Sequence, residues 1–184
     1  MWLLFYKRVV IRSSWVVISD DECCQYLIDA FADIFPDLKI IGGADEPFYV
    51  APKENAYAII YYRSNYPRSL LHEVSHYCLA GDRRRRIDDF GFWYSPCGRA
   101  AEEQSRFEIV EARPQGLEKA MCEIVGLRFS PSLDDFSGSP PSEDFLKNVD
   151  VAYREMMTNP PPTAKKALFE LKKYANANGP LMLA

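Results

Sequence analysis

The sequence predicts an α+β fold: a small β-sheet with packed helices, gathered into a single compact domain. Three observations carry this. An apolar stripe at helical spacing follows Ser19, and three short β-branched or aromatic runs bounded by glycine, proline and asparagine sit close together after it. Beyond them lies a series of helical patterns that carry most of the remaining length. At 184 residues, with 48% hydrophobic and 26% charged residues, the composition is that of one soluble domain with a proper core. A formal net charge of -4 gives no basic face of the kind that phosphate binding needs, so no direct nucleic-acid partner is expected.

The opening stretch "MWLLFYKRVVIRSSWVVIS" is apolar enough to raise the question of a signal or a membrane span. Lys7, Arg8 and Arg12 interrupt it well before the roughly 20 residues a spanning helix needs, and no basic segment precedes its first apolar patch. Residues 1–18 therefore read as a strand-like or poorly ordered N-terminal extension, the domain occupies 19–184, and no membrane association is expected. Ser19 and Glu22 have the spacing of a capping box. Behind them Cys24, Leu27, Ile28, Phe31 and Ile34 form one helical stripe that Pro36 closes. "LKII", "PFYV" and "YAIIYY" are the sheet, separated by Gly42, Gly43, Pro47 and Pro52 and closed by Asn65. Pro67 suits a first helical turn and Gly81 a C-terminal cap, which predicts a helix over 67–80.

"FGFWYSPCG" reads as strand and loop. A carboxylate-rich helix is expected over 99–113, with Pro114 breaking or bending it before "QGLEKAMCEIVGL" resumes. "SPSLDDFSGSPPSED" is a loop by composition, and helices over about 142–157 and 163–176, separated by "NPPP", finish the chain. Five cysteines, odd in number and without a C-x-x-C pair, indicate neither a disulfide framework nor a cysteine zinc site, which points to a cytoplasmic home.

The chemistry concentrates in "LLHEVSHYCLAG". His72 and His76 are the only two histidines, and four residues apart on a helix they lie one turn above each other on one face, with Glu73 alongside. Two imidazoles so placed can hold one metal ion. The plainer alternative is a pair of solvated histidines bonded to neighbouring carboxylates. An open metal site needs a third ligand, and with no histidine left it must be Asp or Glu. In "AEEQSRFEIVEARPQ", Gln104, Glu108 and Glu111 share a helical face; Glu111 is the first choice and Glu108 the alternative. Glu102 and Glu103 read as solvated first-turn carboxylates. The bland role for Glu108 or Glu111 is pairing with Arg106, Arg113 or Lys119. With zinc, the open position would hold a water that Glu73 deprotonates, giving a peptidase or other hydrolase. With iron(II), the same three ligands form a facial triad whose open positions accept dioxygen. Ligand type alone leaves both open, and no nucleotide or organic cofactor is indicated.

"ADEPFYV", "LLHEVSHYCLAG", "DDFGFWYSPCGR" and "QSRFEIVEARPQGLE", in this order and spacing, closely resemble the elongation factor P hydroxylase family, over about residues 44–129. Cys97 departs from the pattern, standing where an acidic residue is expected. The resemblance implies a bacterial, metal-dependent enzyme, an oxidoreductase of the monooxygenase type. Its substrate would be the β-lysylated lysine of elongation factor P, a post-translational modification of a translation factor. Carried over by position, the ligands would be His72, His76 and a glutamate of "FEIVEARPQ". The chain shows no jelly-roll strand pattern of the 2-oxoglutarate oxygenases.

Two weaker signals accompany the motif. "GDRRRRIDD" reads first as a solvated face, partly neutralised by Asp82, Asp88 and Asp89, and second as a docking patch of Arg83, Arg84, Arg85 and Arg86 for an acidic protein surface. Phe90, Phe92, Trp93 and Tyr94 would ordinarily be packing residues. Beside a metal, Phe92, Trp93 and Tyr94 could instead wall a pocket for an aliphatic amine whose ammonium Asp45 or Glu46 holds. Cys78 points away from the histidines and reads as core. Three readings follow: an iron(II) protein hydroxylase, a zinc peptidase, and a non-catalytic binding protein.

Overall fold

The computed structural model describes residues 19–54, 56–91, 101–133, 140–179 and 181. The N-terminal extension 1–18, Phe92, Trp93, Tyr94 and Cys97 lie outside the described residues. The chain forms α1 (Asp20–Ile34), β1 (Leu38–Ala44), β2 (Phe48–Val50), β3 (Ala58–Arg63), α2 (Pro67–Leu79), a short α3 (Gly81–Arg84), a 3-10 turn (Asp88–Gly91), α4 (Ala101–Val125), α5 (Glu143–Thr158) and α6 (Pro162–Asn178). This is the α+β architecture the sequence predicts.

Helix α1 begins with the expected capping box. The Glu22 amide donates to Ser19 Oγ, and the Ser19 amide donates to the Glu22 carboxylate at 2.8 Å, so two otherwise orphaned amides are satisfied. Cys24, Leu27, Phe31 and Ile34 are buried, with Cys23 and Ala30 widening the stripe. The sheet has the order β1-β3-β2, with β1 parallel and β2 antiparallel to the central β3. A register shift between Ile41 and Ala44 interrupts β1. It is built on Gly43 in a left-handed conformation (φ +84) and on Gly42, where a Cβ would fall 2.3 Å from Asn65 Oδ1.

Helix α2 carries Pro67 in its first turn and ends before Gly81, whose φ of +70 turns the chain into α3. It packs on β3 and against α1, α4 and α6. The main core joins α1, the sheet, α2, the second half of α4 and α6. A smaller cluster of Ala112, Leu133, Phe145 and Val149 joins the first half of α5 to α4, while Met156 near its end lies in the main core. Cys78 is buried in the main core, as expected. Among the described residues no helix is long and apolar enough to cross a membrane.

Two expectations are corrected. Pro114 does not break the helix: α4 runs without interruption from Ala101 to Val125. Proline removes one amide donor, but the carbonyl it deprives belongs to Val110 on the exposed side, whereas Glu111, Ala112, Gln115, Gly116 and Leu117 are all buried. Packing on both flanks therefore overrides the local preference. The start of "FGFWYSPCG" is also not a strand. Phe90 and Gly91 belong to the 3-10 turn, where Asp89 (φ +47), Phe90 (φ +54) and Gly91 (φ +72) are all left-handed. The Asp89 and Asp88 carboxylates hold this turn by accepting the outward amides of Tyr49 (2.9 Å) and Ala51 (2.8 Å) along the free edge of β2.

Gly116 sits where α4 meets α5, and a Cβ there would lie 2.6 Å from Ala152 Cβ and 2.7 Å from the Tyr153 amide nitrogen. Gly116→Ala should therefore destabilise the protein by about 1–3 kcal/mol, although alanine is the better helix former. Urea denaturation measures this, and an equal or higher midpoint would contradict the packing described.

Candidate metal centre

Helix α2 presents Arg68, His72 and His76 at intervals of four residues. The facing helix α4 presents Glu111 and Glu118 two turns apart. The two series run in opposite directions: Arg68 meets Glu118, His72 lies between Glu118 and Glu111, and His76 meets Glu111. Both carboxylates are buried, at 3% exposure each, so their negative charge faces the cationic groups of α2 rather than water.

Three atoms converge. His72 Nε2 and His76 Nε2 are 3.1 Å apart, and Glu111 Oε2 lies 3.3 Å from the first and 3.4 Å from the second. Ligands held about 2.0–2.2 Å from one ion, at angles between octahedral and tetrahedral, are themselves about 2.8–3.6 Å apart. The spacing therefore fits a single ion, and it suits iron(II) and zinc alike. A second observation agrees with it: Glu111 Oε2 is fully buried yet has no hydrogen bond of good geometry. An acceptor in that position is satisfied by a cation bridging it to the two imidazoles. Among the described residues, His72, His76 and Glu111 can hold a metal ion together.

The electrostatics are those of a preformed acceptor set. Burial pushes the His72 imidazole toward its neutral form, but Glu111 and Glu118 on either side outweigh it and hold its pKa well above the usual histidine value. His76 is likewise raised against the effect of burial, chiefly by Glu111. Burial would raise the Glu111 carboxyl, yet His76 and His72 keep it well below the usual carboxylate range. Without a metal, protons on the histidines neutralise the glutamates; a divalent cation would displace them.

The walls of the site come from the strained turn. Phe90 stacks on Tyr49 with ring centroids 4.1 Å apart and lies parallel to the His76 ring at 6.4 Å. Two non-glycine residues with positive φ thus occur where the turn brings an aromatic face to a candidate ligand.

The other sequence-predicted site residues are dispersed. Glu73 is half-buried on α2 and close enough to act on the His76 charge. Glu108 is one turn from Glu111 but outside the cluster, accepting a hydrogen bond from Ser142 Oγ at 2.6 Å. Arg106, Arg113 and Lys119 pair with Glu102, Glu155 and Asp150, not with Glu108 or Glu111. Asp45 and Glu46 are exposed in the bend between β1 and β2. Arg83 and Arg84 are exposed on α3. Arg85, in the same run, is structural: it donates to the Tyr77 carbonyl and Thr163 Oγ1, and its own carbonyl accepts from Tyr49 Oη.

Sequence reasoning missed Arg68 and Glu118. The available signals were spacings: Arg68 is four residues before His72, and Glu118 is seven after Glu111. Reading a helix break at Pro114 put Glu111 and Glu118 on different elements and hid the second signal.

A model of the family described as elongation factor P hydroxylase matches residues 29–180, a span that begins before residue 44 and continues beyond residue 129. A curated protein of Haemophilus influenzae named elongation factor P lysine hydroxylase is 42% identical over 103 residues, which are 55% of this chain and 58% of that relative. The family match takes in all of α2, α4, α5 and α6, and with them every residue of the His72, His76, Glu111 cluster. On the strength of that match, the chain belongs to the elongation factor P hydroxylase family.

Proposed function

We propose that this chain is an iron(II)-dependent protein hydroxylase that inserts one oxygen atom from dioxygen into the β-lysylated lysine of elongation factor P, in the bacterial cytoplasm, the other oxygen atom leaving as water with two electrons from an external reductant and two protons. The observation that carries the reading is the convergence of His72 Nε2, His76 Nε2 and Glu111 Oε2 within 3.4 Å of one another, inside a chain of this family. Two imidazoles and one carboxylate suit non-haem iron and leave positions open.

His72, His76 and Glu111 would hold the ion. Bound iron(II) would supply the redox chemistry that activates dioxygen. The chain's own residues do the rest. Glu111, ionised and buried, sets the charge of the site. Phe90 shields the His76 side from water. Glu73, beside His72 on α2 and within electrostatic reach of His76, orients reacting groups or moves a proton. Phe92, Trp93 and Tyr94, directly after Phe90 and Gly91 in sequence, are of the type that would contact the aliphatic part of the substrate, and Asp45 or Glu46 would receive its ammonium. Arg83 and Arg84 form a cationic rim just beyond the metal helix, suited to an acidic surface of elongation factor P.

Three outcomes are expected. His72→Ala, His76→Ala and Glu111→Ala should each leave almost no bound metal by elemental analysis, whereas Glu108→Ala keeps it; the reverse for the two glutamates would overturn the ligand assignment. Replacing Arg83 and Arg84 together should raise KM for elongation factor P in a salt-sensitive way with kcat nearly intact, and unchanged kinetics at low salt would remove them from docking. Finally, protein loaded anaerobically with iron(II), mixed with β-lysylated elongation factor P and a two-electron reductant such as ascorbate, and exposed to dioxygen should add one oxygen atom to the substrate by intact mass. That gain should be absent with His72→Ala and slowed by Glu73→Gln, with its metal retained. No mass gain with any common reductant, together with zinc-dependent cleavage of a peptide library, would replace the hydroxylase with a peptidase.

A further inference from the structure

The His72 ring has two polar contacts of different kinds. Its Nε2 faces His76 and Glu111, the atoms of the candidate metal site, while its Nδ1 lies 3.0 Å from Glu118 Oε2. An ionised carboxylate can only accept a hydrogen bond, so a bond at Nδ1 requires the ring proton to be there. A neutral imidazole with its proton on Nδ1 has its lone pair on Nε2, aimed at the point where the three ligand atoms meet. Glu118 is itself held: Oε1 lies 3.4 Å from Arg68 Nε, and Arg68 Nη2 donates to the Ser130 carbonyl. The neighbouring Gln115 pins the same returning segment, donating to the Ser132 carbonyl and accepting from the Ser132 amide at 3.0 Å.

We infer that Glu118 is a positioning residue, which fixes the tautomer and ring orientation of His72 for metal binding, and that Arg68 keeps Glu118 in place. The inference rests on the metal reading above. Carboxylates that accept from the far nitrogen of a metal-bound histidine also raise its basicity, and losing one typically lowers metal affinity about 10–100-fold. Glu118 differs from Glu111 in acting through His72: it stands on the Nδ1 side of the ring, away from the converging Nε2 atoms. The buried Arg68–Glu118 pair also contributes to the α2–α4 contact, so the test must separate positioning from support.

Zinc serves as a diamagnetic probe. Histidine-labelled protein is titrated with zinc against a chelating dye, and the imidazole nitrogens are followed by long-range proton–nitrogen NMR. In the wild type, His72 should show Nε2 bound to zinc and a slowly exchanging proton on Nδ1. Glu118→Ala should bind zinc about 10–100-fold more weakly and lose that protected proton. Glu118→Gln, whose carbonyl still accepts but bears no charge, should keep the proton and show a smaller loss of affinity. Circular dichroism melts check that each variant is folded. If Glu118→Ala does not fold, the glutamine variant decides: weaker zinc binding with a shifted Nδ1 proton supports the inference, and wild-type affinity with an unshifted proton overturns it. A folded alanine variant with wild-type affinity and its Nδ1 proton still protected would overturn it as well. A wild type that takes up no zinc or iron would overturn the metal reading and this inference together.

Discussion

The structure depends on a polar seam between α2 and α4. Arg68, His72 and His76 on one helix face Glu118 and Glu111 on the other, all inside a contact that is otherwise packed. Removing one member of a buried charged set typically costs about 3–5 kcal/mol because it strands the others. A one-turn slip of the two helices would misalign Arg68, His72 and His76 with Glu118 and Glu111, so the seam favours the observed register. It also leaves a localised imperfection: Glu111 Oε2 and two imidazole nitrogens crowd around one point where protons alone satisfy them poorly.

Most of the remaining fold can be understood as support for that seam. The three-stranded sheet and α1 pack against α2 beside α4, and α6 contacts α1, α2 and α4 in the same core. Helix α5 braces the outer face of α4, close enough at Gly116 to exclude a side chain. The strained turn after α3 belongs to the same scheme. It is clamped to the edge of β2 by Asp88 and Asp89 and lays Phe90 over Tyr49 and beside His76, so the sheet edge and the site are set by one short segment.

How much of this was legible in the sequence depended on whether its cause was local. The capping box at Ser19, the proline start of α2, the Gly81 turn and the three short strands follow from residue preferences over a few positions, and all were predicted. His72, His76 and Glu111 were legible because helical spacing projects them from their own elements, and the structure brings those three together. Pro114 misled because its effect on a helix depends on what packs around it, and burial on both sides kept α4 continuous. That misreading concealed Glu118, whose partnership with Glu111 exists only if the helix runs through. Arg68 was hidden for a related reason: its partners, Glu118 and the Ser130 carbonyl, lie 50 and 62 residues away in sequence. The left-handed Phe90 carries no sequence signal, because an aromatic residue rarely adopts that conformation, although Asp89 and Gly91 on either side are of types that do.

The central claim is that the metal is held at this seam by two imidazoles and a carboxylate. X-ray absorption at the iron edge of iron(II)-loaded protein tests it most directly. The account predicts a coordination shell of nitrogen and oxygen only, with the outer-shell scattering of two imidazole rings per iron. Sulfur in the first shell, or a spectrum without histidine scattering, would contradict it.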